Sequence, residues 1–95
     1  MQINSHDYIN AKKNEAALAN FMQDIIRIPS LSSEEGAVVE RARVEMERVG
    51  FDEVRVDPMG NLIGRIGSGP FVIAMDGHID TVDTGDLSLW DRDPH

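Results

Sequence analysis

Ninety-five residues allow at most one small domain, near the lower end of what buries a good core by itself. With 41% hydrophobic and 27% charged residues the composition is globular, and a net charge of −8 argues against nucleic acid, whose phosphates it would repel. No apolar run approaches the roughly 20 residues of a membrane helix, "MQINSHDYINAKKNE" lacks a secretory pattern, and the absence of cysteine agrees with a cytoplasmic home.

The first periodic stretch covers about residues 7–27, with Leu18, Phe21, Met22, Ile25 and Ile26 at helical spacing and Pro29 stopping it. Ser5 and Asp7 are the candidates for its cap. "PSLSSEE" reads as a linker, within which Ser32 and Glu35 have the spacing of a capping box. The helix predicted next, about 33–49, puts Val38, Val39, Ala42, Met46 and Val49 on one face, and Gly50 stands where a left-handed C-terminal cap is wanted. Its other face carries Arg41–Glu45 and Arg43–Glu47, pairs expected of ordinary solvated helix surface.

After Gly50 the period changes to two. "DEVRVD" and "NLIGRI" alternate as half-buried strands do, and "DPMG" between them suits a turn, which predicts a hairpin with a four- or five-residue loop. "GSGP" breaks the chain again. "FVIAM", residues 71–75, is apolar at every position, the pattern of a strand buried on both faces inside an α/β sheet. Two helices and one hairpin hardly cover such a strand, so the residues are expected to belong to a larger domain of mixed α/β class.

His78 stands two residues past that run, at the carboxyl end of the predicted strand, where open α/β sheets collect ligands. Asp80 is close enough in sequence to accept a hydrogen bond from the imidazole, the arrangement that fixes the tautomer of a metal-bound histidine. By spacing alone, His-x-Asp is more often a surface or capping pair; the apolar strand before it and "TV" after it favour the metal reading. With no thiolate available, any metal must be held by His, Asp or Glu. Asp76, Asp80, Asp83, Asp86, Asp91 and Asp93 crowd the last twenty residues, which suits either a solvated acidic loop or a cation.

Rival motifs fail on their own terms. A calcium loop counted from Asp80 would have Gly85 at position six and Asp91 at twelve, but Val82 and Thr84 at positions three and five. Gly64, Gly67 and Gly69 do not spell a dinucleotide fingerprint, and "GSG" lacks the flanks of a nucleophile elbow. His6 and His95 read as exposed bystanders, and Trp90 as packing.

Taken together, "IPSLSSEEG", "MERVGFDEVRVDPMGNLIGRIGSGP" and "FVIAMDGHIDTV", followed by Trp90 and "DP", resemble the N-terminal part of the ArgE/DapE-type zinc peptidases. Within that family they look most like the selenium-metabolism-linked hydrolase subgroup. The likeness runs from about Phe21 to Pro94. It implies the start of a catalytic domain built on a mixed sheet, with the lid or dimerisation domain lying outside these residues. It implies His78 as a ligand of one of two zinc ions (cobalt or manganese being alternatives) and Asp80 as the carboxylate of the catalytic centre that orients it. It also implies a small peptide or N-acyl amino acid as substrate, metal-polarised amide hydrolysis, no nucleic-acid or membrane partner, and full-length relatives that are often dimers. The family's bridging aspartate, glutamate pair and final histidine all lie beyond "DP", so this chain is expected to be inactive alone. His95 stands where relatives usually carry Phe or Tyr. The alternative is a non-catalytic acidic binding or regulatory module derived from such a hydrolase.

Overall fold

The computed structural model describes residues 4–95. Its elements are helix α1 (Ser5–Ile26), helix α2 (Gly36–Val49), strands β1 (Glu53–Val56) and β2 (Leu62–Arg65), and a short 3-10 helix at Leu87–Leu89. The class is mixed α/β, with β1 and β2 forming a two-stranded antiparallel sheet.

Asn4 caps α1, its side chain accepting from the Asp7 amide at 2.9 Å. Ser5 and Asp7, the expected caps, therefore fall inside the first turn. Asn has the short acceptor that the free N–H groups of a helix start need, one residue earlier than the apolar pattern indicates. Of the face predicted to be buried, Phe21 and Ile25 are half-covered, but Leu18, Met22 and Ile26 are exposed by 50% or more. The reason is that α1 meets α2 only near its C-terminal end. There Arg41 of α2 donates to Asp24 at 3.0 Å and to Glu45 at 3.1 Å, and its guanidinium lies 5.0 Å from the centroid of the Phe21 ring. Arg41, expected on a solvated face, is thus the tie between the helices, its cation stacked on one ring and held by two carboxylates. Arg43–Glu47 is the surface pair the spacing predicts.

The capping box does not form. Ser33 takes a left-handed φ of 71°, Glu34 N–H bonds back to Leu31, and Glu35 accepts from the Ser33 amide at 2.8 Å. That turn uses the glutamate locally and delays α2 to Gly36. Its C-terminus follows expectation: Gly50 has φ 92°, its N–H bonds to Glu47 O, and Phe51 N–H reaches Met46 O. This is a Schellman closure, and it turns Phe51 back under the helix.

The hairpin pairs Glu53 with Arg65, Val54 with Gly64, Arg55 with Ile63 and Val56 with Leu62. Asp57 closes the five-residue connection by accepting from the amides of Met59 and Asn61 and from the Asn61 side chain, at 2.9 to 3.0 Å. Those bonds, Asn61's first, hold the Asp57 carboxyl below its ordinary pKa. Phe51 and Met46 rest against Gly64, where a Cβ would lie 2.5 Å from the ring. Among the described residues the buried ones are Val38 and Ala42 of α2, and Ser30.

The run 71–75 departs most from expectation. It forms no strand among the described residues, and Phe71, Val72, Ile73 and Met75 are 88–92% exposed. A strand needs a neighbour to take its N–H and C=O groups, and β1 and β2 pair only with each other. The apolar pattern was a correct reading of what those side chains prefer, but no sheet is present here to receive them.

Candidate metal-ligand pair

His78 and Asp80 follow the exposed run. The Nδ1 of His78 lies 2.8 Å from Asp80 Oδ1. A carboxylate only accepts, so the facing nitrogen carries the proton, and in the neutral ring Nε2 has the lone pair that a ligand role needs. The imidazole is 86% exposed and Asp80 36%, which leaves Nε2 accessible. A histidine held this way by a carboxylate has the geometry a metal ligand needs, and an ordinary surface pair has it too.

The backbone under this pair is anchored at one place, the segment just after α1. Thr81 N–H donates to Ser30 O at 2.8 Å, and Leu31 and Thr81 form a parallel bridge. Ser30 Oγ donates to Ile79 O at 3.2 Å and lies 3.2 Å from Thr81 Oγ1. The serine hydroxyl has one proton, committed to the Ile79 carbonyl, so Thr81 supplies the other. In the sequence Ser30 lies within "PSLSSEE", whose composition is that of a linker and gives no sign of this role.

The other aspartates do not join His78. Asp83 accepts from Gly85 N–H, Asp86 from Ser88 N–H and Asp93 from His95 N–H, each at 2.9 Å. These are carboxylates bent onto the backbone two residues ahead, the ordinary task of Asp in turns. The bond to Ser88 also holds the Asp86 carboxyl below its usual pKa. Trp90 Nε1 donates to Thr84 O at 2.9 Å, closing the same loop. Among the described residues no group of three or more His, Asp or Glu gathers to hold a metal ion. The residues present therefore fit one ligand and its support. His6 and His95 are exposed. No helix among the described residues is long and apolar enough to cross a membrane.

Over about three quarters of its length or more, the chain resembles hydrolases and one protein of unassigned activity. It is 45% identical over 73 residues to a LysW-lysine hydrolase of Deinococcus radiodurans, covering 77% of this chain and 20% of that protein. It is 37% identical over 75 residues to a succinyl-diaminopimelate desuccinylase of Cereibacter sphaeroides, covering 75% of this chain and 20% of the relative. To YgeY, an uncharacterized protein of Escherichia coli, it is 52% identical over 85 residues, 90% of this chain and 21% of YgeY. The chain thus spans about a fifth of the length of these curated relatives. No family model matches it, and no solved structure does. The two hydrolases by name support a hydrolase-family origin for the chain.

Proposed function

We propose that these residues are the N-terminal portion of the catalytic domain of an ArgE/DapE-type metal-dependent hydrolase, within the selenium-metabolism-linked subgroup. The whole protein would cleave an amide or peptide bond in a small peptide or N-acyl amino acid. The observation that carries this reading is the 2.8 Å contact between His78 Nδ1 and Asp80 Oδ1, with the ring open to solvent. The likeness to a desuccinylase and a lysine hydrolase supports it. So does the exposed apolar run, which in a longer chain would have a sheet to enter.

In this role His78 offers Nε2 to the metal and Asp80 holds the Nδ1 proton, so the ring keeps one orientation and one tautomer. When bound, zinc, at two ions per site, supplies Lewis-acid polarisation of the scissile carbonyl and a water acidic enough to attack near neutral pH. One imidazole does not make the three or four ligands of a closed zinc site, so this chain alone should bind zinc at micromolar Kd or weaker and hydrolyse nothing.

Calorimetry with zinc or cobalt tests the assignment. Weak binding that His78→Ala abolishes and Asp80→Asn weakens is expected. Binding that ignores His78 would remove the ligand role. Turnover of N-acetyl or N-succinyl amino acids that depends on His78 would overturn the claim of inactivity.

A further inference from the structure

Ser30 is the one buried polar residue among those described, 1% exposed, and its neighbours in space are 49 and 51 positions away in sequence. Its hydroxyl makes a chain of two hydrogen bonds, from Thr81 Oγ1 to Ser30 Oγ and from Ser30 Oγ to Ile79 O, each 3.2 Å. Its own carbonyl takes the Thr81 amide at 2.8 Å. Two bonds from one residue thus hold the backbone on both sides of Asp80, and a third takes the Thr81 hydroxyl. The Asp80 side chain, left out of that clamp, reaches His78 Nδ1 at 2.8 Å. Asp80 is the restraint on the His78 ring among the described residues, and the rest of the imidazole is open to water.

On the footing of the metal reading above, we infer that Ser30 is a positioning residue for the ligand pair: by fixing Ile79 and Thr81 it sets where the Asp80 carboxylate stands, and so which nitrogen of His78 faces a metal. The role requires a group that donates and accepts at once, at a position that is 1% exposed. Serine meets both demands, and alanine only the second. A purely structural serine would hold the two segments together without any effect on the imidazole.

The imidazole is therefore the readout. In the metal-free chain at about pH 8, where an unperturbed imidazole is neutral, nitrogen NMR should show His78 mainly as the Nδ1–H tautomer. Ser30→Ala should shift the ring toward the tautomer mixture of an unconstrained histidine and speed exchange of the Thr81 amide by about tenfold, with the Val54 and Leu62 amides of the hairpin unchanged. Thr81→Val, at an exposed position, removes one bond of the two and should move the tautomer the same way by a smaller amount; it keeps the test open if Ser30→Ala unfolds the chain. Wild-type tautomer populations in a folded Ser30→Ala chain, or in Thr81→Val if the alanine variant unfolds, would overturn the role. Cobalt chloride titration separates this from the metal reading: cobalt binding that survives His78→Ala sinks the metal reading, while the tautomer result, obtained without metal, still stands or falls by itself.

Discussion

Replacing Gly64 by alanine tests how α2 is seated on the hairpin. A methyl there would lie 2.5 and 2.7 Å from Cδ2 and Cε2 of Phe51 and 2.8 Å from Sδ of Met46. Carbon atoms in contact sit about 3.5–4.0 Å apart, so three atoms must yield by about 1 Å. The thioether can swing away. The ring is less free, because the Phe51 amide is bonded to Met46 O in the cap that ends α2. Overpacking of this kind costs about 1–3 kcal/mol, and alanine returns about 0.5–1 kcal/mol by restricting the unfolded chain. The two ranges net to about 0–2.5 kcal/mol, and a loss of about 1 kcal/mol is expected, read as a lowered midpoint in urea with an unchanged slope. Gly77→Ala is the control, since nothing lies within 4 Å of a Cβ there and its backbone is not left-handed; it should stay within about 0.5 kcal/mol of wild type. Met46→Ala combined with Gly64→Ala should recover part of the loss. A Gly64→Ala chain as stable as wild type would refute the close approach of α2 to β2.

Ser33→Gly should stabilise by about 1 kcal/mol in the same urea assay, because a serine at φ 71° bears a steric cost that glycine escapes. Acid unfolding draws on the four lowered carboxyls, Glu40, Glu45, Asp57 and Asp86, of which two illustrate the sign. Glu45, bonded first by Arg48 and then by Arg41, has its carboxyl lowered from 4.5 to about 2, and Asp57 is lowered chiefly by Asn61. A folded pKa below the unfolded one means the unfolded chain binds more protons, so both contributions are whole above about pH 4.5 and fade as pH falls through the lowered values. Arg48→Met should flatten that acid limb, and an unaltered pH profile would show that the pair contributes nothing to it. Arg41→Met should loosen α1 from α2, seen as faster amide exchange near Asp24 with the hairpin amides unmoved; equal exchange in the variant and wild type would deny Arg41 its role as tie.

Features set by near neighbours in sequence were the ones legible without coordinates. The hairpin, α2 with Gly50 at its end, and the His78–Asp80 pair each depend on contacts a few residues apart. The Asn4 cap, the turn at Ser33 and the late start of α2 lie within about three positions of what the patterns indicate, the usual play of short polar side chains that can bond several backbone groups. What escaped was non-local. Ser30 bonds across some fifty residues and leaves no periodic trace, and Gly64 looks like any strand glycine until Phe51 is found against it. The all-apolar run at 71–75 was misread in a different way: its pattern reports a preference for burial, and preference is met only where a partner surface exists.

That run has a practical side. Phe71 to Met75 is five residues without charge, rich in β-branched and aromatic side chains, and open to solvent. Such segments stack between copies as in-register ribbons when concentration rises. Pro70 cannot donate to a ladder and Asp76 repels its own image, so the segment is gated at both ends. Solubility of the isolated chain should therefore hinge on these two residues, and Asp76→Asn should clot at concentrations where the parent stays clear.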